Sequence, residues 1–301
     1  TTTILGAGKL TGRLNNGFSV GVLSAVTQRE LGAPILRVAL GAAGDTLRRD
    51  DGTPRHEPTG DLYVVQPMTS YTVARAQQEL RGGNTVIGVM GTSVNRAVSD
   101  ALTEANLRRD AFSGGVDFKH RMLQNRWAVG GYLAGSLVRG SADAIALTQR
   151  SNVHRYDRVD ARLDYDPTRT SLSGATMQLS VEKISGRARS FSGCTRTTPG
   201  FEINDAGYLG RADLQSCSNW VGLRFIKPRA FYRMVGINFN QWTEFNTAGE
   251  RLNLGGNVNG HSQLKNNWFV YSGVGVGQLS SYNDRAAPGG PAFRRSPSLS
   301  S

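Results

Sequence analysis

The fold of this chain is decided by the stretch Ala111-Phe112-Ser113-Gly114-Gly115-Val116-Asp117-Phe118-Lys119-His120-Arg121-Met122. Its even-numbered positions are mostly apolar, as at Phe112, Val116 and Phe118, whereas Asp117 and Lys119 at odd positions are charged. A period of two is typical of a β-strand, because successive side chains point to opposite faces of the sheet. The stretch therefore predicts a strand with one apolar face and one polar face.

The same alternation recurs along the chain and predicts about twelve antiparallel strands, arranged as six consecutive hairpins. The predicted pairs are 4–12 with 18–29, 71–80 with 85–96, 111–122 with 127–138, 174–184 with 190–197, 212–226 with 231–245, and 253–264 with 267–281. Most of these strands exceed the roughly five or six residues usual in soluble sheets. Helical periodicity is confined to 143–150 and, more weakly, 99–109. The chain is therefore predicted to be all-β.

The connections between predicted strands alternate in length. Within each pair the connection is a short turn, whereas between pairs it is usually long, as at 30–70, 97–110, 139–173 and 198–211. An up-and-down transmembrane β-barrel has this asymmetry, with short periplasmic turns and long extracellular loops. The pattern favours such a barrel over the alternative, a soluble all-β protein with ordinary amphipathic strands.

The order of turns and loops also predicts how much of the barrel the chain holds. If the short turns face the periplasm, the strand at 4–12 descends from outside, whereas a complete barrel begins with an ascending strand. We therefore expect residues 1–281 to form an outer-membrane β-barrel that is incomplete at both ends. Residues 282–301 show no strand pattern and are expected to be a loop or a truncated segment.

Composition narrows the class of protein. The 301 residues carry 35 Lys and Arg against 23 Asp and Glu, a formal net charge of +12, and thirty of the basic residues are Arg. Hydrophobic residues at 39% exclude a disordered chain, and two Cys exclude a disulfide-rich scaffold. The Arg are dispersed without a nucleic-acid-binding motif, which disfavours a nucleic-acid partner. In an outer membrane, Arg can instead pair with phosphates of lipid and lipopolysaccharide.

The polar strand faces predict a lumen, and the strand ends predict an interfacial belt. The predicted lumen-lining residues, which would set selectivity and hydration, are Asp117, Lys119, Arg121, Gln178, Glu182, Asn238, Asn240 and Glu244. Aromatic girdles mark the membrane interfaces of such barrels. The residues expected in a girdle are Trp127, Trp220, Phe231, Tyr232, Trp242 and Trp268.

Several segments resemble an uncharacterised bacterial outer-membrane β-barrel domain family. The matching segments are 4–12, 80–84, 131–136, 165–174, 199–205 and 254–260, and the most specific is Asp166-Pro167-Thr168-Arg169-Thr170-Ser171-Leu172-Ser173-Gly174. The barrel domain of that family usually follows an N-terminal carbohydrate-binding-module-like domain of the family-nine type. The resemblance implies a saccharide or oligosaccharide as one class of solute, and it brings no catalytic residues.

Candidate chemical sites remain open at the level of sequence. Cys194 and Cys217 lie symmetrically about a loop, so they form either a disulfide or two small residues on adjacent strands. Asp157, Asp160, Asp164 and Asp166 could bind calcium, but Arg155, Arg158, Arg162 and Arg169 could instead neutralise them in a salt-bridged loop. His56, His120, His154 and His261 lack metal-binding spacing. The Gly6-Ala7-Gly8-Lys9 segment fails the spacing of a phosphate loop. No cofactor or metal is therefore predicted.

Taken together, these patterns predict a pore or transporter of the bacterial outer membrane that passes or recognises a solute. A surface binding or adhesion protein, with the barrel as its anchor, is the alternative. An outer-membrane hydrolase is less favoured, because no Gly-x-Ser-x-Gly motif or other pattern singles out a nucleophile. The oligomeric state does not follow from the sequence.

Overall fold

A computed structural model describes residues 2–41, 44–160 and 163–301, and its main feature is a 13-stranded antiparallel sheet. The strands of this sheet are β1 (Ile4–Arg13), β2 (Phe18–Thr27), β5 (Thr69–Leu80), β6 (Thr85–Arg96), β7 (Asp110–Met122), β8 (Trp127–Arg139), β9 (Ser171–Lys183), β10 (Ala188–Thr197), β11 (Leu214–Phe225), β12 (Tyr232–Phe245), β13 (Arg251–Leu264), β14 (Phe269–Gly277) and β17 (Ser298–Ser300). Each strand pairs with the next of these along the chain, so the sheet is an up-and-down meander.

The twelve predicted strands and their six hairpins are confirmed, with ends that shift by a few residues. The stretch at 111–122 lies in β7, which pairs with β8 across the turn at 123–126. Turns of similar length join the other predicted pairs at one end of the sheet. The longer connections lie at the opposite end, which we call the loop end, because antiparallel neighbours alternate in direction.

Two regions predicted as loops contain strands. The connection at 30–70 holds a separate hairpin of β3 (Glu30–Val38) and β4 (His56–Gln66). Its register shifts at several positions, so the two-residue period that identifies a strand is broken there. Residues 282–301 contain β15 (Tyr282–Asn283) and β16 (Phe293–Arg294), and β17 pairs with β14. These three strands have only two or three residues, too few to show a period.

The sheet is open in the part of the chain that the structure describes. Its order begins at β1 and ends at β17, and no pairing joins these two edges. All ten side chains of β1 are exposed, as expected for an edge strand that nothing covers. A closed transmembrane barrel is therefore not found, and that part of the predicted fold stays a prediction.

The two faces of the sheet differ in exposure. One face presents large apolar side chains to the outside, and Leu133, Met177 and Leu179 are each at least half exposed. The register places Thr176 and Ser180 on the opposite face, where both are buried. We call these the apolar face and the polar face. The distribution is the reverse of an ordinary soluble sheet, which buries its apolar face.

At the loop end, the polar face is covered by long connections. Val94, Ala111, Val138 and Leu172 form a continuous row across four strands and pack against Ile145 and Tyr156 in a buried hydrophobic cluster. Ile145 lies on helix α2 (Ala142–Arg150), and the shorter helix α1 (Ala101–Asn106) precedes β7.

Both helices match the segments where the sequence shows helical periodicity, with α1 inside 99–109 and α2 beginning one residue before 143–150. Asp100 and Ser141 cap their N-termini, each accepting a hydrogen bond from a backbone N–H of the first turn. No helix in the described ranges is long and apolar enough to cross a membrane.

Candidate functional site

All eight residues predicted to line a lumen lie on the polar face. Asp117, Gln178 and Glu244 share one row across the sheet, because the register links each to the next through Tyr132, Thr195 and Ser216. A second row contains Arg121, Glu182 and Asn240, whereas Lys119 and Asn238 lie in rows of their own. The residues thus share a surface without converging on one point, and their role as lumen lining stays a prediction.

Two parts of the polar face carry hydrogen-bonded side chains. On β5 and β7, Arg75 donates two hydrogen bonds to Asp117, at 2.8 and 3.0 Å. On β12 and β13, Asn238 donates to Asn259 at 2.9 Å and Asn240 donates to Asn257 at 2.7 Å. The polar face therefore carries direct side-chain contacts between adjacent strands, as on β12 and β13, and across an intervening strand, as from β5 to β7.

Two aromatic residues predicted for an interfacial girdle belong to this polar face instead. Trp220 lies in the middle of β11 and donates its indole N–H to Asn238 at 3.0 Å. Trp242 pairs with Gly255, within the same face. The sequence pattern did not reveal these positions. Neither Trp220 nor Trp242 interrupts the alternation of its strand, and where each residue lies along the strand depends on the register.

The connection at 198–213, between β10 and β11, folds onto the polar face, and we call it the covering loop. Its Phe201 is buried, and the Glu202 backbone N–H donates to the Ser136 hydroxyl of β8 at 2.8 Å. Gly174 of β9 makes this approach possible, because a Cβ atom there would collide with the backbone of Gly200 and Phe201. The loop is thus seated directly on the sheet.

A group of ionisable residues that are buried or partly buried fixes the covering loop, and we call it the loop cluster: Arg96, Arg108, His154, Glu202 and Asp205. Asp205 accepts hydrogen bonds from Arg96 at 2.7 Å and from Arg108 at 2.9 Å. Its carboxylate is 3% exposed. Breaking a buried pair of this kind leaves an uncompensated charge, which costs about 3–5 kcal/mol. The loop is therefore tied to β6 and to the connection that precedes β7.

His154 and Glu202 form the second half of the loop cluster, and both are buried. The His154 Nε2 atom lies 2.8 Å from the Glu202 carboxylate, and its Nδ1 atom lies 2.7 Å from the Pro199 carbonyl oxygen. Both contacts are hydrogen bonds only when the ring carries a proton on each nitrogen, because both partners are acceptors. Burial by itself raises the pKa of Glu202, but the His154 hydrogen bond and the Arg108 charge outweigh it and lower that pKa below its ordinary value.

A second group of charged residues surrounds the buried Arg158 and Asp284, and we call it the Arg158 cluster: Arg158, Asp160, Arg211, Glu250 and Asp284. Arg158 is almost fully buried and donates to Asp160 at 2.7 Å, Glu250 at 2.9 Å and Asp284 at 3.1 Å. Burial alone raises the pKa of Asp284, but the hydrogen bond and charge of Arg211, with the charge of Arg158, hold that pKa below its ordinary value. The cluster joins the connections at 140–170, 198–213, 246–250 and 278–297.

Two of the four acidic residues considered as calcium ligands lie in ion pairs. Asp160 pairs with Arg158, and Asp166 pairs with Arg169 at 3.5 Å, as the salt-bridged alternative expected. Within the described ranges, no group of three or more His, Cys, Asp or Glu is arranged to hold a metal ion.

A cavity of about 500 Å³ lies between the covering loop and the polar face. The sheet contributes the Arg75–Asp117 pair and Tyr132 to its wall, and the loop contributes Phe201 and Tyr208. Tyr208 is 87% exposed, so its ring is largely free. The cavity is mostly apolar with one charged pair, as is usual for small-molecule sites.

Comparison with known proteins assigns the chain to a family. The sequence profile of a family described as a domain of unknown function, DUF5916, matches residues 1–289. The chain belongs to the DUF5916 family. No curated protein and no solved structure matches it. DUF5916 is uncharacterised, so the links to an N-terminal carbohydrate-binding domain and to the outer membrane stay predictions.

The remaining sequence candidates occupy separate places in this DUF5916 chain. Cys194 and Cys217 face each other across β10 and β11 with Cα atoms 4.1 Å apart, and a disulfide joins them on the apolar face. His120 lies 2.9 Å from the Thr85 hydroxyl, and His261 stacks on Tyr271. Neither histidine contributes to the cavity.

Sequence reasoning missed the loop cluster and the cavity of this DUF5916 chain. Arg96 and Asp205 are 109 residues apart, and Arg75 and Asp117 are 42 apart, so no local pattern connects them. One signal was present, because the segment at 199–205 was among those that resemble a family and contains both Glu202 and Asp205. The role of Glu202 and Asp205 is recognisable only in the structure, where the loop folds back onto the sheet.

Proposed function

We propose that this chain is the membrane-embedded part of a bacterial outer-membrane β-barrel that recognises and passes a solute. The observation that carries the proposal is the inverted exposure of the sheet. Apolar side chains such as Leu133 and Leu179 are exposed, whereas Thr176 and Ser180 on the other face are buried. Exposing an apolar surface of this extent is unfavourable in water and favourable in lipid.

The connections support the same proposal. Turns of about four residues join the strands at one end, whereas helices, hairpins and long loops lie at the other. Outer-membrane barrels show this asymmetry between their periplasmic and extracellular ends. The proposed surroundings of the chain are therefore outer-membrane lipid at the apolar face and lipopolysaccharide near the loop end.

The proposal requires that the edges at β1 and β17 be paired in the membrane. Unpaired backbone N–H and C=O groups at an edge are too costly in hydrocarbon, so spanning sheets are closed. Closure of this sheet onto itself and closure through further strands both satisfy the requirement. Either arrangement encloses the polar face and makes it the lumen.

Membrane insertion is tested by folding the chain into phospholipid vesicles and floating them in a density gradient at alkaline pH. We expect the chain to float with the lipid and to be resistant to protease except at its loops. Planar bilayers then test passage, and we expect a conductance that a permeant solute changes. A chain that folds as a monomer in buffer without detergent would contradict the proposal.

A second candidate function is a surface binding protein whose barrel serves as an anchor. The observation that favours it is the fixation of the covering loop, whose buried ion pairs hold it over the polar face. Under this alternative, inserted chains bind a ligand at the loop end and show no conductance. The bilayer experiment therefore separates the two candidates.

A further inference from the structure

The cavity under the covering loop has space because its floor is built from small residues. Gly115, Ala134 and Thr176 are neighbours in one row of the polar face and form part of the wall. Larger side chains in this row would fill the space between sheet and loop. The floor is thus flat, and the polar groups stand at its side.

The Arg75–Asp117 pair spans β6 at the position of Gly88. A Cβ atom at Gly88 would lie 2.7 Å from both the guanidinium and the carboxylate, so only glycine lets the pair lie across the strand. The two side chains remain 40% and 35% exposed, respectively. The pair is therefore held in place while part of each group faces the cavity.

The charge of this pair limits the chemistry of a ligand. Among the described residues, Arg75 and Asp117 are the only ionisable side chains in the wall besides the tyrosines, and their charges cancel. An anion would meet the carboxylate, a cation would meet the guanidinium, and an amino acid would have to separate the pair. A guanidinium has five N–H donors and a carboxylate about four acceptor positions, so both retain capacity after pairing. Neighbouring hydroxyl groups, which donate and accept, match that remaining capacity.

The rest of the wall is mostly apolar and aromatic, and it suits the apolar surface of a ligand that carries hydroxyl groups. Tyr208 presents an exposed ring at the mouth, and Phe201, Ile203 and Leu209 supply apolar surface from the covering loop. A ring with C–H groups on its faces and hydroxyl groups at its rim would contact both kinds of wall. Aromatic rings give such contacts large area at small entropic cost.

We propose that this cavity binds one ring of a neutral saccharide, with Arg75 and Asp117 on its hydroxyl groups and Tyr208 stacked on its face. The inference rests on the proposed function, because it names the class of solute that the polar face would recognise. It is independent of whether the solute crosses the membrane.

The test is isothermal titration of the full chain in an amine-oxide detergent, since detergents with sugar headgroups would compete. The probes are maltohexaose, cellohexaose and chitohexaose, with inorganic phosphate and glutamate as charged controls. We expect saturable heat with at least one oligosaccharide and none with either charged probe. Absence of binding by all three oligosaccharides, or binding of a charged probe alone, would overturn the proposal.

Two variants assign the binding to this cavity. Tyr208→Ala removes an exposed ring and is expected to weaken oligosaccharide binding about tenfold. Its matched control is Tyr271→Ala, which removes another exposed tyrosine outside the cavity and should bind like the parent chain. The double variant Arg75→Gln/Asp117→Asn keeps the net charge and should also weaken binding about tenfold, with little change in thermal stability. Unchanged binding by Tyr208→Ala would assign the sugar to another site and overturn the proposal.

The outcomes separate this inference from the proposed function. A chain that inserts into vesicles but binds no saccharide contradicts the inference alone. A chain that binds saccharide through Tyr208 but folds as a monomer in detergent-free buffer contradicts the membrane function alone.

Discussion

The two faces of the large sheet have opposite relations to their surroundings. The apolar face exposes side chains such as Leu133 and Phe118, and no other part of the described chain covers that region. The polar face carries the row of small residues, the Arg75–Asp117 pair and the covering loop with its buried charges. In water, the hydrophobic effect would place loops over the apolar face. The difference favours the proposal that the apolar face lies against lipid.

The apolar face is less uniform between β10 and β12. There, the Ser192 hydroxyl donates to Asn219 at 2.6 Å, and Asn219 donates to Gln241 at 2.6 Å. These side chains satisfy one another along a row, as polar groups must where water is scarce. The disulfide between Cys194 and Cys217 lies beside them. The polar side chains in this row are thus paired with one another.

The largest expected effect comes from uncovering the polar face. Asp205→Ala removes the carboxylate that accepts hydrogen bonds from Arg96 and Arg108, and we expect a loss of about 3–5 kcal/mol in the free energy of unfolding. Hydrogen exchange should show that residues 198–213 lose protection while the strands keep theirs. The control is Glu57→Ala, which breaks the exposed pair with Arg37 and should cost less than about 1 kcal/mol. Unchanged protection of 198–213 in Asp205→Ala would show that the ion pairs do not hold the loop.

A charge on the apolar face should have the next largest effect. Leu179→Arg is expected to destabilise the chain folded in vesicles by about 2–4 kcal/mol, because hydrocarbon solvates the guanidinium poorly. Leu14→Arg is the matched control, since Leu14 is 59% exposed, Leu179 is 58% exposed, and Leu14 lies in a short turn. Urea titration of both variants measures the difference. Equal and small effects of the two substitutions would mean that the apolar face meets water.

Acid should loosen the covering loop by a smaller amount. The folded-state pKa of Glu202 is depressed, so its contribution to stability is complete above its unfolded value of 4.5 and is lost as pH falls through the lower folded value. The midpoint temperature of unfolding should therefore decrease when the pH is lowered below about 4.5. Glu202→Gln removes the titrating group and should show a weaker dependence in that range. The same acid dependence in both proteins would assign the effect to other carboxylates.

The smallest expected effect tests the polar face far from the loop. Trp220→Phe keeps the aromatic volume but removes the donor to Asn238, at a cost of about 1 kcal/mol. The measurement is the urea midpoint, with Trp268→Phe as the control, because Trp268 lies exposed in a turn. A Trp220→Phe midpoint equal to that of the control would remove this hydrogen bond from the account.

The meander was predictable from sequence because a strand's two-residue period is local. The stretch around Phe118 and Lys119 shows its two faces within a few residues, and short turns make the pairing of neighbours unambiguous. The β3–β4 hairpin was missed because Pro34 and several shifts of register interrupt its period. The same local reasoning cannot reach Asp205, whose partners Arg96 and Arg108 depend on how a long connection folds back. The sequence therefore predicts the strands of the sheet better than it predicts the loops and ion pairs that cover the polar face.

The central claim, that the apolar face meets lipid and the polar face meets water, is tested most directly by spin labels in vesicles. Phe118→Cys and Lys119→Cys are adjacent on β7, exposed, and on opposite faces. Cys194 and Cys217 are joined, so only the new thiol takes the label. We predict that the label at 118 collides with dissolved oxygen and is shielded from a water-soluble nickel complex, whereas the label at 119 is reached by nickel. Nickel access at both positions would contradict the account.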